Sequence, residues 1–73
     1  MSDFGSRFRE LRRERKLNQD EMGAVFGVTR RTICAYEHDT LHPDFKGLLF
    51  IAEYFGVSLD YLVGWSDERD VRR

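Results

Sequence analysis

The stretch QDEMGAVFGVTRRTICAYEH, residues 19–38, decides the expected fold. Gly27 can adopt the positive φ that a tight turn between two helices requires, and the missing side chain of Gly23 lets two helices cross closely. Apolar side chains at helical spacing flank the turn and would fill the angle between the helices; they are Met22, Phe26, Ile33 and Tyr36. The stretch therefore predicts two short helices joined by a tight turn, a helix-turn-helix.

The second helix of this motif carries a polar surface opposite its apolar one. Counting about 100° per residue, one arc of about 140° holds Arg30, Arg31, Cys34 and Ala35, and Ile33 lies on the other side. Arginine can donate two hydrogen bonds to guanine, and short side chains admit a base edge or a thymine methyl. Two exposed arginines alone also fit an ordinary solvated helix, but within this framework we predict that the four residues read DNA bases.

Three further helices are expected around the motif. Capping residues and periodic apolar residues predict a first helix from Phe4 to Lys16, a second opening at Asn18, a third capped by Thr29, a fourth from Asp44 to Phe55 and a fifth from Ser58 to Val63. The predicted fold class is all-α with five helices. Residues 1–65 form the expected domain, and the charged residues 66–73 are expected to be a solvated tail or the start of a linker.

The size and charge of the chain limit its function. A chain of 73 residues is too small for a roomy catalytic cleft. The sequence also suggests no nucleophile with a catalytic base to activate it, and no phosphate-binding loop, so no enzyme is predicted. Residues 1–38 hold eight Lys or Arg and six Asp or Glu, whereas residues 39–73 hold four and seven, so the balances are +2 and −3. Any site for a polyanion must therefore be local and in the first half.

The expected compartment is the cytoplasm. No basic and apolar leader follows Met1, and the longest apolar run, residues 48–52, is too short to span a bilayer. The single cysteine, Cys34, excludes an internal disulfide framework and suits a reducing compartment. No membrane partner is expected.

Two segments, LNQDEMGAVFGVTRRTICAYE and the later stretch containing FGVSLDYLVG, resemble the lambdoid repressor and Cro family, also called the xenobiotic-response-element family. The resemblance covers roughly residues 4–64. It implies a lambda-repressor-like five-helix fold, a homodimer on palindromic double-stranded DNA operators, and transcriptional control, most plausibly repression, without a cofactor. Carried over by position, it implies that Gln19 meets a phosphate, that Arg30 and Arg31 read bases with Ala35 farther along the groove, and that Arg12 and Glu37 form an interhelical ion pair.

Other polar residues fit the rim of such a DNA interface. Four of them could bind phosphates through hydroxyl, imidazole or ammonium groups: Thr32, Thr40, His42 and Lys46. Their presence is explained equally well by the ordinary polarity of a protein surface. Asp39 stands where the family usually has glycine after the recognition helix. Aspartate tolerates the left-handed conformation, so the fold is kept, but we expect its charge to repel nearby phosphate.

The spacing of Cys34, His38 and His42 raises the hypothesis of a metal-responsive switch. We do not favour it, because a fourth ligand is missing and His42 lies beyond the expected helix end. A simpler hypothesis is that oxidation or alkylation of the Cys34 thiol blocks the DNA-facing surface.

The last helix places Tyr61 and Trp65 one turn apart, away from the apolar Leu59 and Leu62. The aromatic pair is a candidate dimer interface, and the alternative is that Trp65 folds back over its own core. A rival to the whole DNA-binding hypothesis is a protein-interaction module, for example an antitoxin-like partner, which only the acidic second half supports.

Overall fold

Five α-helices follow one another in the computed structural model, which describes residues 3–70. They are α1 (Phe4–Glu14), α2 (Gln19–Phe26), α3 (Arg30–Glu37), α4 (Phe45–Phe55) and α5 (Leu59–Leu62). The predicted all-α class and its five helices are confirmed. α1 ends before the expected Lys16, because Lys16 takes a φ of 57° and turns the chain toward α2. α5 ends at Leu62, and Val63 caps it.

Local capping sets where each helix begins. The N-cap side chain of every helix accepts a hydrogen bond from the backbone N–H three residues later; these caps are Asp3, Asn18, Thr29, Asp44 and Ser58. At α2 the capping box is complete, since Glu21 Oε1 also accepts from the Asn18 N–H at 2.8 Å. A cap of this kind stabilises its helix by about 1 kcal/mol. The residue at which each helix begins is therefore determined largely by the local sequence.

The core lies where α1 meets the helix-turn-helix formed by α2 and α3. Phe8 is fully buried, and its ring centroid lies 6.1 Å from that of Phe26, 5.9 Å from that of Tyr36 and 6.3 Å from that of Phe55. Aromatic pairs at these separations attract one another beyond their buried area. This single α1 side chain therefore contacts aromatic rings of α2, α3 and α4.

Gly23 and Gly5 let helices approach one another closely, and Gly27 forms the turn between α2 and α3. A Cβ on Gly23 would lie 2.6 Å from the carbonyl oxygen of Val28, so the close crossing predicted at Gly23 is confirmed. Gly27 takes a φ of 70° at the turn, also as expected. Gly5 was not predicted to matter, yet a Cβ there would lie 2.5 Å from the carbonyl oxygen of Glu37. The start of α1 is therefore pressed against the end of α3.

Residues 66–70, which we call the C-terminal strap, fold back onto the domain. Ser58 donates from its backbone N–H to the Arg69 carbonyl at 2.7 Å and from its hydroxyl to the Glu68 carbonyl at 2.9 Å. The Arg69 guanidinium binds Glu14 at 2.9 and 2.6 Å and Glu10 at 2.9 Å, both on α1. Asp67, Glu68 and Asp70 are exposed, so these residues are largely solvated, and the strap is nevertheless held against the domain by these hydrogen bonds. Residues 71–73 lie outside the described residues.

The strap also changes the surroundings of Tyr61. Its ring lies between two guanidiniums, with the Arg7 Cζ 4.0 Å and the Arg69 Cζ 5.0 Å from the centroid. Arg7 in turn donates to the Ser66 carbonyl at 3.0 Å. Tyr61 is buried, so of the two residues in the candidate dimer interface only Trp65 is exposed. Trp65 is 86 % exposed, which also excludes the alternative that it covers its own core.

Candidate nucleic-acid interface

One shallow, open depression brings together residues from α2, from α3 and from the turn that follows. Its lining consists of Gln19, Arg30, Arg31, Cys34, Ala35, His38 and Thr40, which we call the α3 surface. All four predicted base-reading residues lie here, together with Gln19 and Thr40 from the predicted phosphate contacts. The two arginines are exposed, whereas the shorter side chains of Cys34 and Ala35 are half-buried. The guanidiniums therefore project farther from the surface than the two small side chains between them and the turn.

A buried ion pair supports this surface from behind. Arg12 on α1 donates to Glu37 on α3 through two nitrogens, Nε to Oε2 at 2.5 Å and Nη2 to Oε1 at 3.1 Å. The Glu37 side chain is 3 % exposed and that of Arg12 is 11 % exposed. Arg12 also donates to the Leu17 carbonyl at 2.8 Å, between α1 and α2. The pair therefore ties α3 to α1, and Arg12 also ties α1 to the joint that leads into α2.

Gln19 extends this network to the surface. Its amide nitrogen donates to Glu37 Oε1 at 3.2 Å, and its amide oxygen accepts from Arg30 Nε at 3.5 Å, a long hydrogen bond. The exposed Arg30 is thus tied through Gln19 to a carboxylate that is itself buried. Gln19 therefore lies between the buried ion pair and the exposed end of α3.

His38 belongs to the α3 surface but was not among the predicted site residues. Its Nδ1 lies 2.8 Å from the Cys34 carbonyl oxygen and 3.6 Å from the Cys34 sulfur. A carbonyl oxygen only accepts hydrogen bonds, so Nδ1 carries the hydrogen and Nε2 is left as an acceptor in the neutral ring. The sequence did hold a signal for His38, since it follows Cys34 by one helical turn on the same arc.

His42 lies apart from that pair. Its Nε2 is 3.1 Å from Asp39 Oδ1, and its ring packs edge-on against Phe4 with 6.0 Å between centroids. Cys34 and His38 therefore meet without His42. Within residues 3–70 no group of three or more His, Cys, Asp or Glu side chains is arranged to hold a metal ion.

The charge of Asp39 is directed toward α1. At a φ of 57° its backbone is left-handed, as expected, and its carboxylate accepts a hydrogen bond from the Gly5 N–H at 3.1 Å. An acid at the N-terminus of a helix is stabilised by the unpaired N–H groups there. The expectation that this charge repels nearby phosphate did not include its partner on α1.

The remaining rim residues stand outside the α3 surface. The Thr32 hydroxyl lies 3.2 Å from the hydroxyl of the N-cap Thr29, and Lys46 is exposed in the first turn of α4. Thr40, by contrast, lines the surface and donates from its hydroxyl to the Ala35 carbonyl at 3.2 Å. Behind the surface, burial raises the pKa of the Tyr36 hydroxyl, with a smaller effect from the charge of Asp44.

Comparison with known proteins agrees with this geometry. The family described as a helix-turn-helix domain matches residues 5–64. The HTH-type transcriptional regulator YqaE of Bacillus subtilis (strain 168) is 39 % identical over 67 residues, which are 90 % of this chain and 58 % of that protein. The cryptic phage CTXphi transcriptional repressor RstR of Vibrio cholerae is 39 % identical over 64 residues, 88 % of this chain and 58 % of the repressor. The chain thus spans 58 % of the length of each of these relatives.

Solved structures give the same result. The P22 c2 repressor, in complex with synthetic operator 9T, superposes with a TM-score of 0.80 at 27 % identity, covering 90 % of this chain and all of that one (100 %). A transcriptional regulator from Listeria innocua superposes with a TM-score of 0.81 at 28 % identity, over 97 % of this chain and 64 % of its own. None of the helices described in residues 3–70 is long and apolar enough to cross a membrane. The chain belongs to the helix-turn-helix domain family and is of the lambdoid repressor type.

Proposed function

We propose that this chain is a sequence-specific DNA-binding transcriptional regulator, most directly a repressor that occupies a palindromic operator as a homodimer. The observation that carries the proposal is the α3 surface, where two exposed arginines flank short side chains on a helix held by a buried ion pair. The likeness to a repressor in complex with operator DNA and to a phage repressor supports it. A helix-turn-helix domain is not an enzyme class.

In the proposed complex α3 enters the major groove with its N-terminal end leading. Arg30 and Arg31 donate to guanine O6 and N7, and Cys34 and Ala35 leave room for a base edge or a thymine methyl. The first residues of a recognition helix are the ones that reach base edges in this motif.

Phosphate contacts position the helix without reading sequence. Gln19 and Thr40 are the candidates that line the α3 surface, and Thr32 and Lys46 are candidates at its rim. His42 is the weakest candidate, because it must leave Asp39 to reach a phosphate. A role on operator DNA also places the protein in the compartment that holds the DNA, so a cytoplasmic location is part of the proposal.

Dimerisation would set the spacing of the two half-sites. Trp65 is a large apolar side chain left in solvent next to α5, and we propose it as a contact between subunits. Tyr61 is buried and is therefore left out of this contact. In a twofold dimer the two copies of α3 meet successive major grooves about 34 Å apart.

Selection from a pool of random double-stranded DNA tests the proposal. The wild-type protein is run at a stated salt concentration beside Arg30→Ala and Arg31→Ala, with Arg13→Ala as the control that removes one exposed arginine from α1. We expect a palindrome from the wild type and from the control, and a relaxed guanine preference at one position in each α3 variant. Failure of the folded wild-type protein to enrich any sequence would refute the proposed function.

A further inference from the structure

A second depression lies between α4, α5 and the C-terminal strap, and it shares no residue with the α3 surface. Its floor is apolar and consists of Leu49, Ala52, Val57 and Leu59. Leu49 is 43 % exposed, and Phe45, one turn earlier on the same side of α4, is 66 % exposed. Large apolar side chains left side by side in solvent typically mark a surface that binds another molecule.

Carboxylates surround this floor. Four acidic residues line the groove, Glu53 from α4, Asp60 from α5, and Glu68 and Asp70 from the strap, and its lining holds neither Lys nor Arg. The one arginine of the strap, Arg69, points its guanidinium to the carboxylates of α1 instead. Within residues 3–70, the groove therefore combines an apolar floor with a negative rim whose lining holds no cationic side chain.

This charge decides between the kinds of molecule that could occupy the groove. Nucleic acid and anionic lipid surfaces are repelled by it. A second copy of this chain in a twofold arrangement would place one acidic rim against another, which is costly in an interface. A segment with apolar side chains for the floor and cationic side chains for the rim matches both features.

We propose that this groove docks a basic amphipathic segment of another protein. Its apolar side chains would pack on Leu49 and Leu59, and its Arg or Lys side chains would pair with the four carboxylates. Short amphipathic segments bind apolar grooves in this way in many complexes. Because the groove and the α3 surface are made of different residues, a partner held here leaves the base-reading side chains free.

Affinity selection of displayed random linear peptides on the full chain tests the proposal. A selected peptide is then synthesised with a fluorescent label, and its affinity is measured by anisotropy for the wild type and for two groove variants, Glu53→Lys and Leu49→Ser. Asp20→Lys and Val25→Ser are the matched controls, since each makes the same chemical change at an exposed residue of α2. Circular dichroism of each variant reports whether the fold is intact.

We expect the selected peptides to combine apolar residues with several Arg or Lys. Glu53→Lys and Leu49→Ser should each weaken binding about tenfold or more, since a like charge or a lost apolar anchor within an interface is costly. The two controls should leave affinity within about twofold, as expected for residues outside an interface.

Peptides without basic bias, or equal affinity for groove and control variants, would overturn the proposal. A change of oligomeric state in the groove variants without peptide, measured by sedimentation, would overturn it too, because a second copy would then be the occupant.

Discussion

Removing one member of the buried ion pair behind the α3 surface should cost a large part of the stability of the domain. In Arg12→Met the apolar stem is retained while the charge is lost. Among the residues that the structure describes, the Glu37 carboxylate, 3 % exposed, then keeps only its hydrogen bond from Gln19. Leaving an uncompensated charge buried costs about 3–5 kcal/mol. At about 0.05–0.15 kcal/mol per residue, a 73-residue chain has about 4–11 kcal/mol in total.

Urea unfolding followed by circular dichroism measures this loss, and the matched control is the double variant Arg12→Met, Glu37→Met. Replacing both charges by apolar side chains is often neutral or stabilising, so the double variant should regain most of the stability that Arg12→Met loses. The melting temperature of Arg12→Met should fall by at least about 12 °C, at about 4 °C or more per kcal/mol for a domain of this size. A loss below about 1 kcal/mol, the value typical of an exposed pair, would refute the argument that the pair is buried.

Three further changes have definite expected outcomes. Gly5→Ala should destabilise the domain by about 1–3 kcal/mol despite the better helix propensity of alanine, because the new Cβ meets the Glu37 carbonyl; thermal melting measures it. The hydrogen bond from Arg69 lowers the pKa of Glu14 from its ordinary value of 4.5. The pair therefore stabilises the fold fully above pH 4.5, and this contribution is lost as the pH falls through the lowered pKa. In Arg69→Gln the free energy of unfolding, measured by urea unfolding at several pH values, should therefore fall less steeply on acidification. Alkylation of Cys34 with N-ethylmaleimide should block DNA binding, measured by anisotropy, and Cys34→Ala should bind DNA and resist the reagent.

The helices and the DNA-facing side of α3 could be predicted because their signals are local. Asn18 and Thr29 cap the helices that follow them within three residues, and the arc of Arg30 and Cys34 follows from helical geometry alone. Neither inference requires knowledge of where the other helices lie. The position of α3 against α1 was available only through the resemblance to a known family.

The features that were missed depend on contacts between distant parts of the chain. Gly5 is important because α3 ends against it, 32 or more residues later, and nothing near Gly5 in the sequence indicates that contact. Tyr61 was assigned to a candidate interface because it lies one turn from Trp65 and away from Leu59 and Leu62. The strap covers it with Arg69, and a short charged segment has no apolar periodicity that could predict such packing.

The central claim is that Arg30 and Arg31 read guanine, and atomic substitution in the DNA tests it most directly. Each guanine of the selected operator is replaced in turn by 7-deazaguanine, which removes the N7 acceptor, and affinity is measured for the wild type, Arg30→Ala, Arg31→Ala and the Arg13→Ala control. We expect one such guanine per half-site for each of the two arginines. At each of them the replacement should weaken wild type and control by about 1.5–3 kcal/mol, and it should leave unaffected the α3 variant that lacks the contacting arginine. An equal loss in all four proteins at every guanine would contradict the account, because neither α3 arginine would then contact the base.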